Sequence, residues 1–329
     1  MTALVTGASG FVGSAVVRAL LERGETVRAF VRPSSDRSNL EDLKVGIEVG
    51  DLCDRASLDR AMKGCDTVFH VAADYRLWVP EPAQMFQANV DGTRNVMEAA
   101  GNAGVRRVVY TSSVATLGLT KDTRPANEAT PVREVDIIGP YKQSKFAAEA
   151  MVKRMVAEQG LPAIIVHPST PIGPRDVKPT PTGKIVVEAA CGRMPAFVDT
   201  GLNVVHVDDV AQGHLLAMER GTIGGQYILG AENLTLAEIL GAVAEIVHRP
   251  APKWRLPHDV VMPIAFLAEL WARLTGREPF VTQDGVRLAR KHMFFSSDHA
   301  AQALGYKPRP AKVAIADAVS WFNQHGYLN

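Results

Sequence analysis

The segment TGASGFVGSA, Thr6–Ala15, constrains the fold more than any other. It comes after a short apolar run, Ala3–Val5. It opens onto Val16, Val17, Leu20 and Leu21, spaced as one face of a helix that stops at Gly24. Three glycines between a strand and a helix supply a tight turn and a place where a ligand or another backbone comes close. The helix beyond offers unpaired N–H groups and the positive end of its dipole, which suit a pyrophosphate. Glycine also serves turns for purely structural reasons, so the reading as a dinucleotide site depends on the elements downstream.

Downstream of Gly24 the chain alternates strands and helices. Val27–Val31, Ile47–Val49, Thr67–Val71, Val105–Thr111 and Ala163–Val166 read as strands, and Ser57–Met62, Val90–Ala100 and Tyr141–Glu158 as helices. Such βαβ units predict an α/β fold with a doubly wound parallel sheet (Rossmann) and ligands beyond the carboxyl ends of its strands. From Pro168 to Pro181 there are five prolines in fourteen residues, which predicts a loop and excludes helix or central strand. Asp208–Arg220, Leu236–Val247 and Val260–Thr275 read as helices, Trp321 lies in a last one, and Gln226–Leu229 reads as a strand returning to the sheet. The expected division is a dinucleotide-binding domain over residues 1–170, rejoined by 204–230. A smaller mixed C-terminal substrate-binding part takes 171–203 and 231–329.

Composition narrows the partners. The 329 residues are 47% hydrophobic, and 36 Lys+Arg face 35 Asp+Glu with no basic run, which argues against nucleic acid. The three scattered cysteines, Cys53, Cys65 and Cys191, have no metal spacing and fit a reducing compartment. Met1 leads straight into the first strand, and the apolar run Val260–Ala268 is too short to span a bilayer. The expectation is a cytoplasmic protein with a small-molecule substrate, a sugar derivative or a ketone, without stable membrane insertion and with a homodimer as the default assembly.

The end of the second strand discriminates between cofactors. An acid there would bond the ribose 2′-hydroxyl of NAD, and an arginine would accommodate the 2′-phosphate of NADP. Val31-Arg32 stands there and no acid appears before Asp36, so Arg32, with Arg37 nearby, places NADP ahead of NAD. The plain alternative makes Arg32 a solvated strand-end residue. Asp51-Leu52, after the third strand, is an adenine contact or a turn.

Ser112 and Ser113 come directly after the fifth strand, and Tyr141 opens the next long helix with Lys145 one turn on, on the same face. A free phenol titrates near ~10, and a nearby ammonium would lower that value. A serine hydroxyl beside the phenol could hold a substrate oxygen. Y-x-x-x-K alone is common by chance. After a glycine-rich first turn and a serine-ended strand it reads as a proton-transfer device for hydride chemistry.

With these residues in place, the chain resembles the extended short-chain dehydrogenases/reductases, the NAD-dependent epimerase/dehydratase family. The motifs are Thr6–Gly13, GDL at Gly50–Leu52, HVAA at His70–Ala73, N-V-x-G-T-x-N-V at Asn89–Val96, YTSSVATLG, YKQSK, HPSTPIGP at His167–Pro174 and HVDDVA at His206–Ala211. DYRLW at Asp74–Trp78, KPTPTGK at Lys178–Lys184 and RKHMFFSS at Arg290–Ser297 are similar to the hopanoid-associated sugar epimerase group. Val31-Arg32 looks instead like the NADPH-dependent dihydroflavonol reductases. The resemblance implies a catalytic set of Ser113, Tyr141 and Lys145, with Ser112 as the fallback serine. It implies cofactor contacts from Gly7, Gly10, Phe11, Val12, Arg32, Asp51, Leu52, Ala72, Ala73, Lys145, Pro168 and Ser169. The implied function is an NAD(P)-dependent epimerase of this sugar-acting kind. The alternatives are an NADPH-dependent ketoreductase and a nucleotide-sensing module without catalysis.

Other clusters have plainer readings. His206, Asp208, Asp209 and His214 resemble a metal set, but the aspartates read better as an N-cap and a first-turn acid. His70 reads as a satisfied core histidine. Asp74, Tyr75, Arg76 and Trp78 line a substrate pocket or cap the sheet, and the Lys178–Lys184 loop meets an anionic substrate or solvent. Phe266, Leu267, Leu270 and Trp271 read as core or subunit contact, with a membrane-surface role as the lesser alternative.

Overall fold

The computed structural model describes residues 1–328 apart from 77, 80, 121–123, 134–136 and 277–278. β1 (Thr2–Thr6) leads through the glycine turn into α1 (Phe11–Glu22) and β2 (Thr26–Val31). Then come β3 (Gly46–Val49), α2 (Arg55–Met62), β4 (Thr67–His70), α3 (Pro82–Phe86), α4 (Gly92–Ala103), β5 (Arg107–Thr111), α5 (Gly139–Gln159) and β6 (Ala163–Pro168). The chain continues through β7 (Thr170–Ile172), α6 (Pro181–Ala190), β8 (Ala196–Val198), β9 (Gly201–His206), α7 (Val207–Arg220) and β10 (Gln226–Leu229). Last are β11 (Glu232–Thr235), α8 (Leu236–Ile246), β12 (Trp254–Leu256), α9 (His258–Thr275), α10 (Gln283–Ala289), β13 (His292–Met293), α11 (Asp298–Leu304) and α12 (Ala311–Gln324).

The first sheet has the order β3-β2-β1-β4-β5-β6-β10, and every pairing in it is parallel. The order reverses between β1 and β4, which opens the crevice where such sheets hold ligands. Both faces are covered, so the central strands are apolar throughout rather than alternating. One face packs Val16, Val17 and Leu20 of α1 with Val210 and Leu215 of α7. The other packs Leu58 and Met62 of α2, Val96 and Met97 of α4, and Val152 and Met155 of α5. Burying one such Leu or Val is worth about 1.5–3 kcal/mol, which is why α1 and α5 dock where their apolar stripes face the sheet.

A second sheet joins β11 to β9 in antiparallel fashion, and β13 and β7 in parallel. Its core draws on α6, α8 and α12, through residues such as Val186, Ile239, Ile315 and Phe322. The proline-rich stretch expected as a loop thus carries strand at both ends of its first part. Pro168 closes β6, and β7 pairs only with β9, so the missing N–H of Pro171 faces no second neighbour. The first helix of the N-V-x-G-T motif also differs from expectation. Gln87–Asp91 winds as a single π-helical turn ahead of α4.

In α9 the structure decides against the core half of the expectation. Its buried residues are Ala265, Ala268 and Ala272. Phe266, Leu267, Leu270 and Trp271, expected in the core or at a contact, lie exposed. Small alanines let α9 sit close to the body, and the large side chains are left outside.

Candidate active site at the carboxyl edge of the sheet

Each glycine of the first turn has its own steric reason. Gly7 takes a positive φ of 67°, and a Cβ there would lie 2.7 Å from the Ala72 Cα. A Cβ on Gly13 would lie 2.0 Å from the Gly7 oxygen, so Gly13 lets α1 approach the turn. Gly10 is the N-cap of α1 and offers no side-chain cap, which leaves the first-turn N–H groups of Phe11 and Val12 facing the crevice end of the helix. An uncapped helix start beside a glycine-lined floor fits the pyrophosphate of a dinucleotide.

The other residues of the implied cofactor set stand just past strand ends. Ala72 and Ala73 come after β4, and the Ala72 N–H donates to Thr6 Oγ1 at 3.3 Å. Arg32 comes after β2 and is exposed, with no side-chain partner among the described residues. Burial works to raise the Asp74 carboxyl, but Arg76, which pairs with it at 2.5 Å, and to a lesser extent the Arg32 charge hold it below its usual range. Asp51 is exposed and accepts from the Cys53 N–H at 2.8 Å, so it forms a local turn as well as standing at the edge. Leu52 lies under Gly92, where a Cβ would approach to 2.9 Å. Pro168 ends β6, and Ser169 donates its N–H to the Leu229 oxygen at 3.1 Å.

The two serines after β5 separate in space. Ser112 is buried, and its hydroxyl donates to Glu149 Oε2. Ser113 is half-buried, its Oγ accepts the Ala115 N–H at 3.1 Å, and it stands near the Tyr141 phenol. Burial pushes the Tyr141 phenol up, and the nearby Ser113 hydroxyl partly offsets this. The ammonium expected to lower that value is engaged elsewhere. Lys145 Nζ donates to the Thr111 oxygen at 2.8 Å and lies 4.9 Å over the Tyr110 ring. Burial brings the lysine down to about 8, against the upward pull of Glu149.

A polar network that sequence reasoning missed lies beneath these residues. Glu149 Oε2 also accepts from Thr116 Oγ1 at 2.6 Å, and its other oxygen pairs with Lys153 at 2.5 Å. His167 Nδ1 lies 3.2 Å from the Ser113 oxygen and 3.5 Å from Glu149. The signal was available in part, because Glu149 stands one turn beyond Lys145 on the same face. Asn89 of the π-turn is another such residue: it takes the Asp74 N–H at 2.7 Å and donates to Ser144 at 2.9 Å. Asp284 at the start of α10 also reaches this edge, 3.1 Å from where a Gly139 Cβ would be.

The remaining clusters have structural roles. His70 is fully buried between Thr6 at 2.7 Å and Thr93 at 2.9 Å, and burial takes it down to about 3. The N-cap of α7 is His206 rather than Asp208, with Nδ1 accepting the Asp208 N–H at 3.0 Å. Asp208 pairs with Arg175 and Asp209 with Arg309, while His214 bonds Thr111 at 2.8 Å. In the Lys178–Lys184 loop Thr180 caps α6 and is held by Asp176. Leu77 of the DYRLW motif lies outside the described residues.

Comparison with known proteins puts this geometry in context. Residues 3–230 match the model of the NAD dependent epimerase/dehydratase family. The chain is 46% identical to a putative dihydroflavonol 4-reductase of Synechocystis, over 98% of this chain and 95% of that one. It is 36% identical to sterol demethylase protein B of Methylococcus capsulatus over the full length of both. The crystal structure of gox2253 superposes with a TM-score of 0.90 at 55% identity, covering 100% of this chain and 99% of that one.

Proposed function

The chain belongs to the NAD dependent epimerase/dehydratase family, and as an enzyme of that family we propose that it moves hydride at an alcohol or ketone carbon, with NADP ahead of NAD. The observation that carries the reading is the end of β2, where exposed Arg32, unpaired among the described residues, stands in place of an acid. Gly7, Gly10, Phe11 and Val12 would hold the pyrophosphate, Asp51 and Leu52 the adenine side, and Ala72, Ala73, Lys145, Pro168 and Ser169 the nicotinamide side. When bound, the nicotinamide supplies or takes the hydride.

The chain's own residues supply the rest. Ser113 holds the reacting oxygen beside Tyr141. A phenol whose titration is pushed up keeps its proton at neutral pH, and this is the form that protonates a ketone oxygen during reduction. Lys145, anchored to Thr111, brings positive charge to the nicotinamide side. Reduction of a ketone is the direction favoured by the likeness to the dihydroflavonol 4-reductase.

A second reading, a hopanoid-associated sugar epimerase, is favoured by Asp74–Trp78, Lys178–Lys184 and Arg290–Ser297, and by the epimerase/dehydratase character of the family. It would oxidise and re-reduce one carbon and keep its cofactor. The test is to denature the purified protein and identify any released nucleotide by mass. Empty protein that binds NADPH well ahead of NADH supports the reductase. Retained NAD(H) supports the epimerase and removes the role given to Arg32.

A further inference from the structure

Helix α5 packs Val152 and Met155 against the sheet, and it buries a carboxylate almost as completely. Glu149 is 3% exposed and stands one turn beyond Lys145, with Lys153 one turn further on. A buried charge persists only where it is paired and hydrogen-bonded. An apolar residue would join α5 to the sheet without that cost, so packing alone does not account for Glu149.

Its carboxylate gathers side chains from three elements. Oε2 accepts the hydroxyls of Ser112, just past β5, and of Thr116 in the turn beyond it, the latter at 2.6 Å. The other oxygen pairs with Lys153 at 2.5 Å, whose side chain is 43% exposed. His167 of β6 places Nδ1 3.5 Å from Oε2 and 3.2 Å from the Ser113 carbonyl oxygen. Both neighbours are acceptors, which assigns the hydrogen to Nδ1, and burial favours the neutral ring. The Thr116 hydroxyl lies 2.7 Å from the same Ser113 oxygen. Two groups in contact with Glu149 therefore also hold the Ser113 main chain.

The charges near Lys145 single out the same residue. Tyr110 of β5, with its hydroxyl 3.5 Å from Nζ, His70 of β4 and Tyr141 of α5 are each shifted by burial toward the uncharged form. Glu149 is negative and pulls Lys145 up against its burial. Lys153 opposes it from the solvent side, and Glu128 acts on the His167 ring.

We propose that Glu149 is a positioning residue of this site, whose carboxylate fixes the turn that presents Ser113 and sets a buried negative charge one turn from Lys145. This role rests on the assignment of Lys145 to the nicotinamide side. Without that charge the ammonium gives up its proton at lower pH, and a bound cofactor loses the cation beside it.

The test is the affinity for NADPH and for NADH by fluorescence titration from pH 6 to 9.5, with thermal melting alongside. Wild-type affinity should fall as pH rises through about 8. Glu149→Gln keeps the size and one acceptor oxygen but removes the charge, so its fall should come about one pH unit lower. Ser112→Ala removes one hydrogen bond to the carboxylate and keeps the charge, so it should melt earlier with the fall in place. Lys153→Met, at the half-exposed end of the cluster, should keep the fold and move the fall to higher pH, which gives a reading even where Glu149→Gln does not fold. A fall at the wild-type pH in Glu149→Gln, or one that Lys153→Met leaves in place or lowers, overturns the proposal and makes Glu149 a structural tie. A wild type that prefers NADH removes the NADP reading alone, because the same limbs are then read with NADH. A wild type that binds neither nucleotide overturns both.

Discussion

Lys145 donates through Nζ to the Thr111 carbonyl at 2.8 Å, which ties the middle of the polar face of α5 to the end of β5. The Tyr141 phenol four residues earlier stands near Ser113 instead. The two members of the Y-x-x-x-K pair therefore have different neighbours, and the ammonium is anchored by the backbone. Its buried charge is the variable part of the site.

That buried charge gives cofactor affinity a pH dependence. Lys145 loses its proton above about 8 rather than near 10.5, because burial disfavours the charged form. NADPH affinity should weaken as pH rises through that value, and Lys145→Met should bind weakly at every pH without the alkaline limb. Fluorescence titration across pH 7 to 9.5 reads this, and a wild-type affinity flat over that range would disprove it.

The adjacent serines should fail in different ways. Ser113→Ala should lower kcat/KM by about 10²–10³-fold, and lose at most about 1 kcal/mol with its short cap. Ser112→Ala leaves the buried Glu149 with one donor fewer and should cost about 1–3 kcal/mol of stability with the chemistry largely kept. Steady-state kinetics beside urea melts separates the two. The reverse pattern would move the reacting oxygen to Ser112.

Arg32→Asp should change the cofactor. Losing a charge-assisted contact to a 2′-phosphate weakens NADPH by about tenfold or more, while an acid at the strand end improves NADH. Calorimetric titration of both nucleotides gives the ratio. An unchanged ratio would return Arg32 to the solvated surface.

Stability should fall on the acid side. Burial holds His70 at about 3 and His214 at about 4, against 6.5 in the unfolded chain. The unfolded state therefore binds more protons between those values, so stability rises with pH across the window and is lost as pH drops below 6.5. At pH 5 each histidine costs on the order of 1–2 kcal/mol. Urea unfolding from pH 7 to 4.5 checks this, and a level profile would contradict the burial of these rings as neutral groups.

Local pattern determined the fold class and pointed to most of the candidate site. The apolar run of β1, the glycines at Gly7, Gly10 and Gly13, and the helical spacing of α1 belong to neighbouring residues, so periodicity and turn chemistry expose them directly. Right-handed βαβ crossovers then bring the end of each strand to one edge. That is why Ser113, Tyr141 and Lys145, distant in sequence, could be read as one constellation.

Only the tertiary structure decided what each group faces. Ser112 and Ser113 are indistinguishable in sequence, and the packing of α5 beside β5 bonded one to Glu149 and left the other, held by Ala115, near the Tyr141 phenol. The same packing sent the Lys145 ammonium to Thr111 and set the direction in which Tyr141 titrates. In α9 the apolar residues predicted core or subunit contact, and Ala265, Ala268 and Ala272 took the inner side of the chain's own core and left Leu267 and Trp271 outside. Hydrophobic spacing records which residues share a face. Which face finds a partner depends on surfaces far away in the chain, and only folding brings these together.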